Sequence, residues 1–265
     1  MRKTMWTALG AACVTGAFGL FFRWLQLLNR FDETTGLYTP GLSGYLFALW
    51  CILAAAALYF FSRRCFSGQA AVPEAAVAFG CGRPGRLIGT LCAAILCLGG
   101  LIVLFSSGSA VYPRAERVLG LLAVLSGVGF AVQLRQVRAG VRSAGTMTCA
   151  LMPVILFCYW LVLCYKEHAR DPVIWSFCVQ ILALCVLAVS FYYETGYLAG
   201  KVVPSRALWL MLLSVYFCFA VMPDSMPFGR KLVLFAAGAS QLYLAGLLLN
   251  GWEPSPAAPE DTARV

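Results

Sequence analysis

Apolar runs long enough to cross a bilayer recur along this chain, and that recurrence restricts its fold more than any other feature. A hydrocarbon core about 30 Å thick takes roughly 20 mostly apolar residues of helix. Such blocks lie at Met5–Leu28, Leu42–Ser62, Leu87–Ser107, Val118–Leu134, Thr146–Tyr165, Val173–Tyr193, Ala207–Met222 and Leu232–Leu249. Composition agrees: 61% of residues are hydrophobic and 12% charged, where soluble domains average roughly 45–50% and about 25%. The expected fold class is all-α, a single polytopic transmembrane helix bundle of about eight spans over residues 1–250. Residues 251–265 lack apolar content and are expected to form a disordered cytoplasmic tail. The fourth and seventh blocks are the shortest, reaching only about 25 Å at 1.5 Å per residue. Flanking Arg117, Arg135 and Arg206 are placed to snorkel across the shortfall. The N-terminal run outlasts a signal peptide's apolar region of roughly 7–15 residues, so it reads as a retained first span.

Orientation follows from the Lys and Arg on the two sides. One side, with the N-terminus, holds Arg2, Lys3, Arg63, Arg64, Arg83, Arg86, Arg135, Arg138, Arg142, Lys201, Arg206 and Arg264. The other holds Arg23, Arg30, Arg114, Arg117, Lys166, Arg170, Arg230 and Lys231, several with acids beside them: Glu116 between Arg114 and Arg117, Glu167 after Lys166. Twelve cations against eight put both termini in the cytoplasm. The longest connector, Arg63 to Arg86, reads as a linker with a short helix signal at Pro73, Glu74 and Gly80. Its arginines would meet anionic lipid at the inner leaflet.

Several chemistries are excluded. The net charge of +9 is spread over short connectors, whereas a nucleic-acid binder gathers its cations on one face, so no nucleic-acid partner is expected. Ten of the twelve cysteines lie within or at the ends of apolar blocks, where they act as small hydrophobes. With no C-x-x-C and a single histidine, zinc-ligand spacing is absent. The metalloprotease, nucleophile-elbow and P-loop motifs are missing too. No metal and no cofactor is expected.

The polar residues that stand out gather toward the outer side. At 100° per residue, Ala12, Gly16, Gly19, Arg23, Gln26 and Arg30 share one face of the first span. Small residues permit close helix approach, so this face is expected to turn into the bundle. Asp32 and Glu33 follow, within reach of Arg23 or Arg30, and Glu167, His168 and Asp171 lie in the connector after the fifth span on the same side. Together Arg23, Gln26, Arg30, Asp32, Glu33, Glu167, His168 and Asp171 form the candidate outer-face polar cluster, an anion-attracting vestibule. The plainer alternative is an Arg23 that snorkels beside Trp24 and a solvated His168. Besides Gln26, the amides Gln180, Gln241 and Gln133 lie inside spans, where amides bridge helices. No Asp, Glu or His occupies the middle of a span, which argues against ion coupling through a mid-membrane carboxylate.

The stretch Arg23-Trp24-Leu25-Gln26-Leu27, then Phe31-Asp32-Glu33-Thr34-Thr35-Gly36-Leu37 and Pro40-Gly41, resembles the first hairpin of uncharacterised polytopic membrane proteins of Gram-positive anaerobic bacteria. The resemblance covers residues 23–41 and implies a bacterial plasma membrane, with no activity to transfer. The expected role is non-enzymatic, transporter-like or an accessory subunit beside a membrane-protein partner. The alternative is a membrane-embedded enzyme acting on lipid or isoprenoid headgroups at the outer face.

Overall fold

The computed structural model describes residues 2–30, 41–66, 79, 83–109, 111–140, 143–169, 176–201 and 203–251. Among them are eight α-helices and no strand: α1 (Arg2–Arg30), α2 (Leu42–Cys65), α3 (Arg83–Ser106), α4 (Pro113–Arg138), α5 (Ala144–His168), α6 (Cys178–Leu198), α7 (Pro204–Ala220) and α8 (Phe228–Gly251). Seven are long and apolar enough to cross a membrane, α7 being the shorter one. The chain is an all-α polytopic membrane bundle. The expected linker helix around Pro73 and Glu74, the stretch 31–40 of the resemblance and residues 252–265 of the expected tail lie outside the described residues, while Gly251 ends α8.

Local signals set the helix ends. Pro113 and Pro204 occupy first-turn positions, where a missing N–H costs nothing. Ser143 caps α5 by accepting from the Thr146 amide at 3.3 Å. At the end of α6, Gly200 adopts φ 73°. Its N–H reaches the Tyr197 carbonyl and the Lys201 N–H reaches that of Gly196, a closure that needs left-handed backbone. The fourth span, expected over 118–134, is a helix of 26 residues. Arg114, Glu116, Arg117, Arg135 and Arg138 extend it past the apolar run, to about 39 Å.

Five helices form a ring: α3 packs on α4 and α8, α4 on α5, and α5 on α6. A narrow contact between α6 and α8 closes it, with α7 wedged behind that seam. The α1–α2 pair lies against the outer side of α7. This explains why α7 is short. Its 17 residues are walled by α1, α2, α6 and α8 and buried along nearly their whole length, so its ends need not match the lipid. Of the face of α1 expected to turn inward, Ala12, Gly16, Gly19, Arg23 and Gln26 are buried, and Ala8 one turn earlier is buried with them. Gly19 leaves room for Tyr216, which would lie 2.8 Å from an added Cβ.

The ring is tight where α3 meets its neighbours. A Cβ on Gly100 would sit 2.7 Å from the Val124 backbone nitrogen of α4, and one on Gly99 would sit 3.0 Å from the Val233 nitrogen of α8. Adjacent glycines thus let one helix touch two partners at backbone distance, the small-residue packing that substitutes for the hydrophobic effect inside lipid.

Candidate functional site

Polar side chains at the end of the bundle carrying the α7–α8 turn form two buried networks. In the first, Arg23 of α1 is fully buried. Its Nε donates to Asp224 Oδ1 at 2.7 Å, Nη1 to Gln26 Oε1 at 3.0 Å and Nη2 to the Ser176 carbonyl at 3.0 Å. The Phe47 ring of α2 lies 5.9 Å away. Asp224 stands in the turn after α7. Burial pushes its carboxyl above the ordinary range, and the Arg23 charge opposes that shift. Four segments are thereby tied to one guanidinium.

The second network is centred on Arg230, at the start of α8. Its Nε donates to Glu116 Oε1 at 2.9 Å and Nη2 to Glu116 Oε2. Nη1 and Nη2 also reach Glu167 Oε2 and Oε1, at 2.8 and 2.6 Å. One arginine thus grips a carboxylate of α4 and a carboxylate of α5 in paired fork geometry. Below it the Trp160 ring lies 6.0 Å from the guanidinium. Trp160 stacks on Phe157, and Phe157 on Phe191 with ring centres 5.8 Å apart. All three rings are buried.

Polar groups also lie level with this aromatic layer and beyond it. Ser190, near the middle of α6, donates to Gln241 Oε1 near the middle of α8 at 2.7 Å. One turn from the far end of α6, Glu194 Oε1 accepts from Gln133 Nε2 of α4. Glu194 Oε2 and Gln241 Nε2 are buried without a hydrogen-bond partner. The geometry of these pairs locates them. Glu116–Arg230 joins α4 to α8 and Gln133–Glu194 joins α4 to α6, helix pairs that do not pack side by side. Side chains reach between such helices only across the interior of the ring. Its centre therefore holds an ion network, then an aromatic layer level with the Ser190–Gln241 pair, and then the Gln133–Glu194 pair.

The described members of the sequence-derived cluster divide between the two networks. Arg23 and Gln26 belong to the first, Glu167 to the second. His168 joins neither: its Nδ1 lies 3.0 Å from the Cys164 carbonyl, and its ring stacks on Phe177 at 4.5 Å. Asp32, Glu33, Asp171 and the side chain of Arg30 lie outside the described residues. Arg23 is held inside the protein, in contrast to the snorkelling geometry.

Sequence reasoning missed Asp224, Glu116 and Arg230 as partners, and Glu194 and Ser190 as ring-centre groups. One signal was readable. Glu116, Leu119, Ala123, Ser126, Phe130, Gln133 and Val137 recur at helical spacing on α4 and are all buried. A stripe that begins on an acid and carries an amide marks a face turned toward other polar groups.

No cluster of His, Cys, Asp and Glu fit to hold a metal occurs among the described residues. No disulfide joins the described cysteines. No family model, curated protein or solved structure matches the chain.

Proposed function

We propose that this protein is a transporter-like membrane protein whose solute path runs through the α3–α4–α5–α6–α8 ring, held here in a closed state. The carrying observation is the line of buried polar side chains across the ring interior, from Glu116–Arg230–Glu167 through Ser190–Gln241 to Gln133–Glu194. Buried polar groups inside a membrane are costly, and they face pathways or partners. Helix-to-helix packing alone has no need of a carboxylate oxygen and an amide nitrogen left unbonded at the ring centre. In this reading Arg230 and its two acids are the gate at the turn end, and the Trp160–Phe157–Phe191 stack is the barrier beneath it. The path suits a small polar solute or ion. The turn end faces the exterior of a bacterial plasma membrane, with both termini in the cytoplasm. The headgroup-enzyme reading is less well supported, because Arg23 and Glu167 are spent in separate networks and His168 bonds within its own helix.

The test is ion leak from proteoliposomes. The gate-neutral variant Glu116→Gln/Arg230→Gln/Glu167→Gln, which keeps hydrogen-bonding shape while removing charge, should leak small ions faster than wild type. Adding Ser190→Trp should restore tightness by filling the ring. A folded gate-neutral variant as tight as wild type, or a leak indifferent to Ser190→Trp, overturns the proposal.

A further inference from the structure

Cations and acids adjacent in sequence at the turn end do not neutralise one another in space. Glu116 lies between Arg114 and Arg117, and Glu167 follows Lys166. Residues one apart on a helix point about 100° apart, and here both acids turn inward onto Arg230. Arg114, Arg117 and Lys166 turn outward and are exposed. They surround a cleft of about 520 Å³, lined also by Val111, Tyr112, Pro113 and Ala115.

None of the three cations bonds a carboxylate among the described residues. Arg117 Nε donates to the Ser107 hydroxyl at 3.3 Å, which fixes one edge of the guanidinium and leaves the rest of the fork open. Lys166 Nζ lies over the Tyr112 ring at 4.4 Å, which holds the ammonium of α5 against the start of α4. The cleft is therefore a three-charge cradle assembled from two helices, positioned by Ser107 and Tyr112. The start of α4 adds to the field: Tyr112 supplies no side-chain cap, Pro113 has no N–H, and the positive end of the helix faces the same residues.

We propose that this cleft binds a phosphate group, whose non-bridging oxygens meet Arg114, Arg117 and Lys166 at the membrane boundary. Phosphate suits three cationic donors lining one cleft, two of them guanidinium forks. The group has two sources of one chemistry, an anionic lipid headgroup or a soluble phosphate. The site is distinct from the ring path, since it shares no side chain with the Arg230 network.

The experiment is thermal unfolding of the full chain in zwitterionic detergent. Inorganic phosphate, short-chain phosphatidylglycerol and, as a control, short-chain phosphatidylcholine are titrated separately. Binding to the folded state raises the midpoint with ligand concentration. Phosphatidylglycerol should stabilise wild type, and Arg114→Gln/Lys166→Gln should weaken its apparent affinity about tenfold or more, as loss of charge-assisted bonds requires. Removing two cations at the other end of the bundle, Arg63→Gln/Arg64→Gln, should leave the affinity within about twofold, surface charges being screened beyond a Debye length. Stabilisation by inorganic phosphate as well identifies a soluble anion as a ligand, and stabilisation by the lipid alone identifies a headgroup site. No stabilisation by either, or equal loss in the two double variants, overturns the proposal. Either substitution here is exposed, so a variant that does not fold is replaced by Arg114→Gln alone, whose side chain bonds nothing among the described residues.

Discussion

Replacing Arg230 with Gln should be among the most destabilising single changes in the protein, and neutralising the whole network should restore most of the loss. Arg230 makes four hydrogen bonds to two carboxylates, with Arg230 and Glu116 side chains 7% and 5% exposed and that of Glu167 14%. Its removal leaves two acids on the neighbouring helices α4 and α5 without the guanidinium that joined them. Breaking a buried pair by deleting one partner costs about 3–5 kcal/mol, because the remaining charge is desolvated and unpaired. Replacing an entire buried network is often neutral or better for the same reason. Glu116→Gln/Arg230→Gln/Glu167→Gln should therefore lie within about 1–2 kcal/mol of wild type, far above the sum of its single losses. Equilibrium unfolding in mixed micelles, followed by tryptophan fluorescence, measures all four variants. A triple variant less stable than Arg230→Gln, or an Arg230→Gln loss under about 1 kcal/mol, would refute the reasoning.

Other consequences can be checked in the same assay. Arg23→Met should cost less than Asp224→Asn, because Asp224 can take up a proton at its already raised carboxyl whereas the Arg23 guanidinium stays charged when the carboxylate is removed; the reverse order would mean that Arg23 does not depend on the Asp224 charge. Gly100→Ala should lose about 1–3 kcal/mol, since the new methyl meets backbone of α4 and the helices must separate. Gly10→Ala, with open space around its Cβ, should be neutral or stabilising by up to about 1 kcal/mol. Ser190→Ala should cost about 0.6–1.7 kcal/mol by leaving Gln241 with no donor, a membrane hydrogen bond's usual worth, and a neutral outcome would place water beside Gln241.

The bundle was readable because apolar block length and the inward face of α1 are local properties. Gly16, Gly19, Arg23 and Gln26 share a side by helical periodicity alone, and they are buried together. Helix extents were less readable where polar residues continue a helix beyond lipid, as at both ends of α4. The sixth helix is displaced along the chain, beginning at Cys178 where the apolar run begins at Val173. The reason for the short α7 lies in its neighbours: hydropathy records that a segment is apolar, and burial against protein in place of lipid is a tertiary fact. The networks were least readable. Glu116 and Arg230 are 114 positions apart and Arg23 and Asp224 are 201 apart. A sequence pairs charges with their neighbours, while the fold turns Glu116 and Glu167 away from the cations beside them. The adjacent glycines 99 and 100 were visible, yet which helix each admits depends on the ring.

Thiol accessibility at the ring centre tests the central claim most directly. Ser190→Cys is placed in a cysteine-free background and treated in membranes with a small hydrophilic thiol reagent, with and without the gate-neutral substitutions. Labelling should be slow in the gated form and much faster once the gate charges are gone, from the side of the α7–α8 turn. Labelling that stays negligible in a folded gate-neutral protein would show a dry, solid core between α6 and α8 and would contradict a solute path through the ring.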